Sequence, residues 1–189
     1  MPKTRMLRRW AKSLKRTLEG ALHPWRRRRA AARVRRRGVR RVLFVCHGNI
    51  CRSPFAAHAA ARKLEARGHQ GFVVTSAGFI GPGGRPSPPE ALAAAAALGV
   101  DLTRHRSRLL TPAIVREAEL IVVMDARQAT DIRRGYGRGS SVVILGDLDP
   151  LPVTARTIPD PVDQPRAAFD ACYRRIDRCV ETLLAACGH

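Results

Sequence analysis

The residues with the clearest chemical potential form one short segment, Cys46-His47-Gly48-Asn49-Ile50-Cys51-Arg52-Ser53. It follows an apolar, β-branched run that predicts a buried strand, Arg41–Val45, and it precedes a predicted helix. A loop at such a junction directs several backbone N–H groups into one concavity, which binds anions with the help of the helix dipole. The same positive environment favours a thiolate, so we expect Cys46 to be ionised at neutral pH without a separate base.

The other side chains of this segment suit a phosphate group. The planar fork of Arg52 can hold two phosphate oxygens at once, and the Ser53 hydroxyl can donate a hydrogen bond to the thiolate. Gly48 permits a backbone turn that a side chain would obstruct. The pattern therefore predicts hydrolysis of a phosphate ester, with Cys46 as the nucleophile and Arg52 as the phosphate clamp.

Ester hydrolysis also needs an acid that protonates the leaving oxygen and afterwards activates water. A long irregular segment rich in Asp and Pro, residues 146–161, could supply it, because loops of that length in a compact domain are usually functional or disordered. The candidate carboxylates in and beside this segment are Asp147, Asp149, Asp160 and Asp163. Residue type and spacing leave all four open.

The elements around these residues alternate between strand and helix. Strands are predicted at Arg41–Val45, Phe72–Thr75, Leu120–Met124 and Ser141–Leu145. Helices are predicted at Pro54–Gly68 with Ser53 as N-cap, Glu90–Leu98, Pro112–Ala118, Asp125–Arg134 and Pro165–Ala186. Right-handed crossovers place the loop after the first strand at the carboxyl edge, where ligands bind. We therefore expect an α/β fold, a four-stranded parallel sheet with helices on both faces and the phosphate-binding loop after the first strand.

Charge divides the 189-residue chain into two parts. Residues 1–41 hold 17 Lys or Arg and a single acid, Glu19, whereas residues 42–189 hold 18 basic and 14 acidic side chains. The two parts therefore carry +16 and +4 of the formal net charge of +20. This break predicts a basic N-terminal arm over residues 1–40 and a globular domain over residues 41–189.

The arm has three possible interpretations. Its apolar residues recur at helical spacing among basic ones, at positions Leu7, Trp10, Leu14, Leu18, Ala21 and Trp25. A basic amphipathic helix with tryptophans can lie on an anionic membrane surface, and the same charge can bind nucleic acid non-specifically, which we consider the weaker alternative. The arm can also be disordered, or its start codon can be assigned too far upstream.

The cysteines and the N-terminus favour a reducing compartment. Five cysteines, an odd number without a regular spacing, predict no disulfide scaffold, and the absence of a Cys-x-x-Cys pair makes a zinc site unlikely. The N-terminus has no apolar core of a secretory signal. We therefore expect a cytoplasmic protein without a metal.

The segment Val42–Pro54 strongly resembles the low-molecular-weight protein tyrosine phosphatases, whose signature is a Cys, five residues and then Arg-Ser, directly after the first strand. The resemblance extends over roughly residues 40–186, with its motifs in the family's order. These further motifs are Thr75-Ser76-Ala77-Gly78, Val100-Asp101-Leu102 with His105-Arg106-Ser107, Val123-Met124-Asp125 and Ile158-Pro159-Asp160-Pro161.

The resemblance implies a two-step reaction in which Cys46 forms a phosphocysteine that water then hydrolyses. It selects Asp160 as the general acid and implies that Asn49 orients the loop through Ser53, Ser76 and His105. It implies no metal and no organic cofactor. The implied substrate is phosphotyrosine in protein, and relatives of this type often act on bacterial tyrosine kinases.

Two positions depart from the family pattern. Members often carry an aromatic residue after Asp-Pro, where this chain has Val162, and a Trp or Tyr after Ser-Ala-Gly, where it has Phe79. These aromatics grip a phenyl ring, so their replacement affects the preference for phosphotyrosine more than the phosphatase chemistry. Ile50 matches the tyrosine-directed members.

Alternatives remain for one residue and for the whole chain. Cys51 can be a packing residue, or it can trap oxidised Cys46 as a reversible disulfide. The chain can also be an arsenate reductase on the same fold, which would need further reactive cysteines between Cys51 and Cys172, where none occurs. A phosphate-binding module without turnover is the third alternative, and an altered Cys46 or a missing acid would favour it.

Overall fold

The computed structural model describes residue 10, residues 17–35 and residues 38–188, and the side chain of residue 140 is not described. Six α-helices have described bounds: α1 (His23–Arg35), α2 (Arg52–Ala66), α3 (Pro89–Ala96), α4 (Pro112–Glu117), α5 (Ala126–Tyr136) and α6 (Arg166–Cys187). The strands are β1 (Arg41–Cys46), β2 (Val73–Gly78), β3 (Leu120–Val123) and β4 (Val142–Ile144). The predicted apolar positions Leu7 and Leu14 lie outside the described residues.

The strands form one parallel sheet in the order β2-β1-β3-β4. Side chains of β1 alternate between two cores: Val42, Phe44 and Cys46 enter the larger one with α2, α3 and α6, whereas Leu43 and Val45 enter a smaller one with α4 and α5. A parallel sheet buried on both faces explains why β1, β3 and β4 are almost entirely apolar. The predicted four-stranded parallel sheet with helices on both faces is confirmed.

Two local predictions need correction. β2 continues beyond Thr75 to Gly78, because its last three residues pair with Phe44, Val45 and Cys46 of β1. Ser53 is not the N-cap of α2, since the helix begins at Arg52 and its N-cap residue, Cys51, makes no side-chain capping bond. The Ser53 hydroxyl lies instead beside the Cys46 sulfur.

Most of the described part of the arm is helical, and α1 packs against the domain. Residues 17–21 are helical, and α1 buries His23, Ala30 and Val34. The His23 Nε2 lies 3.0 Å from the Asp149 carbonyl oxygen, and Arg33 donates to the Val142 carbonyl at 3.1 Å. The α1 helix therefore covers the β4 edge and the segment that follows it. Among the described residues, no helix has the length and hydrophobicity needed to cross a membrane.

Candidate active site

The loop between β1 and α2, residues 46–53, is called the phosphate loop below. It starts where β1 leaves the carboxyl edge of the sheet, so the elements on both sides of it are fixed by the core. Cys46 is 3 % exposed, and its sulfur lies 3.0 Å from the Ser53 hydroxyl oxygen. His47 at the rim is exposed, Gly48 and Ile50 are half-buried, and Cys51 is buried. Ser53 therefore lies beside the Cys46 sulfur at the edge of the sheet.

Asn49 is the centre of the hydrogen bonds that shape the phosphate loop. It is fully buried, with a left-handed φ of 53°. Its amide nitrogen donates to the hydroxyls of Ser53 and Ser76 at 2.9 Å each, and its side-chain oxygen accepts from the Arg108 backbone N–H at 2.9 Å. Its carbonyl lies 2.8 Å from the His105 Nε2. Ser53, Ser76 and His105 were predicted as partners of Asn49, whereas Arg108 was not.

Two more contacts hold the phosphate loop and were not predicted. A Cβ on Gly78 would lie 2.8 Å from the Asn49 nitrogen, so a side chain there would displace the loop. The Arg85 guanidinium donates to the Gly48 carbonyl at 2.8 Å. Gly78 belongs to the Thr75–Gly78 motif of the family, whereas Arg85 lies in a Gly- and Pro-rich loop that offered no signal.

Arg52 connects the phosphate loop to the predicted general acid. Its guanidinium forms an ion pair with the Asp160 carboxylate and donates to the Ile158 carbonyl at 3.2 Å. Its Nε is buried and has no partner among the described residues. The Arg52 side chain is 4 % exposed and that of Asp160 is 33 % exposed. The contact brings a solvent-accessible carboxyl to the loop that carries Cys46, across 108 residues of sequence.

The four candidate aspartates have different surroundings. Asp147 accepts from the Arg156 Nε at 3.0 Å. Asp149 is fully buried and accepts from both Arg175 and Arg178 at 2.8–2.9 Å. Asp163 is exposed, with a left-handed φ of 58°. Of the four, Asp160 is the one that contacts the phosphate loop.

The pKa values of neighbouring groups reflect burial. Burial raises the pKa of the Cys51 thiol well above its ordinary value, and the nearby Asp160 carboxylate adds to the shift. Burial raises the pKa of Cys172 to about 12. Burial also lowers the pKa of His105, against the opposing effect of its hydrogen bond to Asn49. A neutral His105 must donate through Nε2, because the Asn49 carbonyl can only accept.

The two positions that depart from the aromatic pattern differ in exposure. Val162 is 37 % exposed and lies two residues after Asp160. Phe79 is half-buried and packs against the smaller core. Part of the Phe79 side-chain surface is therefore covered by the smaller core. Tyr173 is buried inside the molecule, where its hydroxyl donates to the Cys51 carbonyl at 3.1 Å.

The fold and the site together define a cysteine-dependent phosphatase. The parallel sheet carries a Cys-x5-Arg-Ser loop after its first strand, and an aspartate contacts the arginine of that loop. Comparison with known proteins agrees. The family model described as low molecular weight phosphotyrosine protein phosphatase matches residues 41–189.

Individual relatives give the same result. A probable low molecular weight protein-tyrosine-phosphatase, EpsP of Ralstonia nicotianae, is 34% identical over 144 residues, which are 76% of this chain and 92% of the relative. Wzb of Salmonella typhimurium is 35% identical over 141 residues, 73% of this chain and 87% of the relative. The crystal structure of the Erwinia amylovora tyrosine phosphatase AmsI superposes with a TM-score of 0.70 at 27% identity, covering 78% of this chain and 93% of that chain.

The chain therefore belongs to the low-molecular-weight phosphotyrosine protein phosphatase family. It is a hydrolase of phosphomonoesters, and its reaction class is the dephosphorylation of phosphotyrosine in proteins through a phosphocysteine intermediate.

Proposed function

We propose that Cys46 is the nucleophile, Arg52 the phosphate clamp, and Asp160 the general acid and base of this phosphatase. The Cys46 thiolate attacks phosphorus while the bond to the tyrosyl oxygen breaks, and protonated Asp160 gives its proton to that oxygen. The Asp160 carboxylate then takes a proton from water, whose oxygen attacks phosphorus, and phosphate and the Cys46 thiolate are released. The observation that carries the proposal is the ion pair between Asp160 and Arg52.

The remaining loop residues have binding and supporting roles in this proposal. The backbone N–H groups of His47 to Ser53 surround the phosphate, and the Arg52 guanidinium clamps two of its oxygens. The Ser53 hydroxyl, 3.0 Å from the Cys46 sulfur, stabilises the thiolate when it leaves phosphorus. Asn49, Ser76 and His105 keep the loop in shape before substrate arrives, which avoids reorganisation during the reaction.

Replacement of Cys46 tests the nucleophile. Cys46→Ser should lower turnover of an aryl phosphate by several powers of ten, because a serine hydroxyl is not ionised at neutral pH. Phosphate should still bind, since the loop N–H groups and Arg52 remain. Cys187→Ser, which removes a half-buried thiol at the far end of α6, is the control and should keep activity. Residual activity above about 1 % in Cys46→Ser would exclude Cys46 as nucleophile.

The physiological substrate in this proposal is a phosphorylated protein, and a bacterial tyrosine kinase is the specific candidate. Its support is the membership of the chain in a protein phosphatase family and its likeness to bacterial relatives. Val162 leaves the mouth of the site without the usual aromatic wall. Val162→Tyr should therefore lower KM for phosphotyrosine peptides more than for a small alkyl phosphate, and equal effects on both would contradict a ring-gripping role at this position.

We also propose that the enzyme works in the cytoplasm and attaches to an anionic membrane surface through residues 1–40. Four large apolar side chains described in the arm face solvent: Trp10 is 71 % exposed, Leu18 54 %, Leu22 49 % and Trp25 57 %. Exposed tryptophans beside arginines are suited to the interface of an anionic bilayer. Each basic residue near such a surface contributes about 1 kcal/mol, and the attraction decreases beyond a Debye length.

Vesicle sedimentation tests the attachment. Because α1 packs on the domain, substitutions are a cleaner test than truncation. The full chain should sediment with anionic vesicles, salt should weaken the binding, and Trp10→Ala/Trp25→Ala should remove a salt-resistant part of it. If salt released the unaltered chain from the vesicles completely, the binding would be purely electrostatic. The arm would then be a non-specific polycation, which could bind nucleic acid equally well. Absence of binding at low salt would reject the membrane proposal.

A further inference from the structure

A cavity of about 270 Å³ lies between α1 and the β4 edge of the sheet, and none of its lining residues belongs to the phosphate loop. Its volume is close to the lower end for small-molecule sites, about 300–1,000 Å³. We call it the arginine cleft. Its basic side chains are Arg26, Arg29, Arg33, Arg133 and Arg156, and its aromatic side chain is Trp25.

Positive charge in the arginine cleft exceeds negative charge. The single acidic side chain among the lining residues is Asp147, which already accepts from Arg156 at 3.0 Å. Five guanidinium groups therefore face one carboxylate. Like charges held close together raise the energy of the folded state unless a counter-charge compensates them. The cleft thus has the electrostatic character of an anion site.

The arginines reach the cleft from three separate parts of the fold. Arg29 comes from α1 and stacks over Trp25, with the guanidinium carbon 5.1 Å from the ring centroid. Arg133 comes from α5, and Arg156 from the segment after β4. Neither Arg29 nor Arg133 has a hydrogen-bond acceptor among the described residues. Guanidinium groups converging from different walls can hold several oxygens of one tetrahedral anion, whereas a carboxylate offers only two.

We propose that the arginine cleft binds a phosphate-bearing anion, as a second site independent of catalysis. The anion is either a soluble phosphate compound or the phosphate of a lipid headgroup. The exposed Trp25 and Leu22 lie on the same part of the chain, so a headgroup could enter the cleft while these side chains contact the bilayer. The proposal does not depend on the roles assigned to Cys46, Arg52 and Asp160.

A titration of the full chain with inorganic phosphate, followed by NMR, tests the soluble source. The indole N–H of Trp25 reports on the cleft, and competitive inhibition of aryl phosphate hydrolysis reports separately on the phosphate loop. Phosphate should shift the Trp25 signal along a saturable curve. In Arg29→Gln/Arg133→Gln the cleft affinity should decrease at least about tenfold, the loss expected for one charge-assisted hydrogen bond, with competitive inhibition unchanged.

Arg28→Gln/Arg134→Gln is the matched control, because it removes the same charge from the same two helices at exposed positions outside the cleft. It should keep the affinity of the cleft within about twofold, since surface charges interact weakly through water. Should the cleft variant fail to fold, Arg29→Lys/Arg133→Lys keeps the charge but loses the bidentate forks, and it should still weaken phosphate binding.

Mixed vesicles of phosphatidylcholine and phosphatidylglycerol test the lipid source. Sedimentation that decreases in the cleft variant and persists in the control, without a Trp25 response to inorganic phosphate, would assign the cleft to a headgroup. A Trp25 response to inorganic phosphate that the cleft variant loses would assign it to a soluble anion. Equal behaviour of the cleft variant and its control in both experiments would overturn the proposal.

Discussion

The phosphate loop and the segment that carries Asp160 meet at Arg52, but different forces hold them. The phosphate loop is fixed by neutral, buried hydrogen bonds around Asn49. Residues 145–161 are called the acid segment below. This segment begins with a short 3-10 helix (Leu145–Leu148) and continues irregularly. It is held in place by ion pairs between arginines and its aspartates. The two halves of the proposed catalytic site should therefore respond differently to pH and to substitution.

The contacts that hold the acid segment involve residues before Asp160, which we call the base of the segment. Arg175 links Asp149 to the carbonyls of Ala155 and Thr157, at 2.6 and 2.8 Å. Beyond these contacts, Asp160 keeps a third of its side chain in solvent. In the proposed mechanism Asp160 leaves Arg52 when phosphate arrives, which a fixed base and a less restrained tip of the acid segment would allow. The phosphate loop has to hold its amides in place throughout the reaction, and buried neutral bonds serve that purpose.

The largest effect is expected at the tip of the acid segment. Asp160→Asn should slow the first step for esters with poor leaving groups by about 10²–10⁴, because their leaving oxygen needs a proton. Esters with activated leaving groups should lose less in this step. The measurement is kcat/KM, which does not include the second step, across a series of aryl and alkyl phosphates of increasing leaving-group pKa.

Asp163→Asn is the matched control for that series. Asp163 is exposed and adopts a left-handed φ of 58°, which asparagine also tolerates. Its turnover should stay near that of the unaltered enzyme for every ester. A uniform loss across leaving groups in Asp160→Asn, or a leaving-group effect in Asp163→Asn, would contradict the assignment of Asp160.

The next largest effect is expected at the base of the acid segment. Asp149→Asn leaves Arg175 and Arg178 without their carboxylate, and breaking a buried ion pair in this way costs about 3–5 kcal/mol of unfolding free energy. Asp170→Asn removes a more exposed carboxylate, which is paired with Arg166 one turn away, and should cost about 0.3–0.5 kcal/mol. Urea unfolding measures both. A loss for Asp149→Asn as small as that for Asp170→Asn would show that the network does not hold the segment.

The Asp149 network also predicts a pH dependence. Burial alone would raise the pKa of Asp149, but hydrogen bonds from Arg178, the Leu151 N–H and Arg175 outweigh it and lower the pKa below the ordinary 3.8. A carboxyl with a lowered folded-state pKa stabilises the protein above its unfolded-state pKa and loses this contribution as the pH falls through the folded-state value. The stability difference between the unaltered enzyme and Asp149→Asn should therefore shrink below about pH 3.8 and stay constant near neutrality.

The smallest of these effects is expected in the phosphate loop. Asn49→Ala removes three buried side-chain hydrogen bonds and should cost at least about 1–3 kcal/mol, the penalty for unsatisfied buried groups. Asn49→Gly loses the same bonds but adopts φ of 53° without steric cost, so it should be more stable than Asn49→Ala by about 1–2 kcal/mol. Both should weaken phosphate binding. Equal stability of the two variants would mean that the backbone conformation contributes nothing.

The sequence predicted the sheet and the phosphate loop because both are encoded locally. Apolar runs mark three of the strands and the start of β2, and Cys46 and Arg52 are six residues apart in one continuous loop. Even so, Ser53 was misread as a helix cap, since a Ser-Pro pair before a helix has the same pattern whether its hydroxyl faces a backbone N–H or a sulfur.

Contacts between distant parts of the chain could not be predicted in this way. Residue chemistry left four aspartates open, and the family resemblance was needed to select Asp160, which meets Arg52 across 108 residues. Three further contacts depend on the three-dimensional course of loops. They are the hydrogen bond from Arg85 to Gly48, the ion pairs of two arginines with Asp149, and the packing of α1. Arginines are frequent in this chain, so their spacing alone carries little information.

In the proposed mechanism Cys46 carries the phosphoryl group between the two steps, and rapid quenching of Asp160→Asn tests this role most directly. With an activated aryl phosphate, the first step needs little protonation, whereas the second step lacks its base, so the intermediate should accumulate. We predict a stoichiometric burst of the aryl alcohol, with one phosphoryl group located on Cys46 by mass spectrometric sequencing. A phosphoryl group on Cys51 or on any other residue, or release of alcohol and phosphate in step without an adduct, would contradict the account.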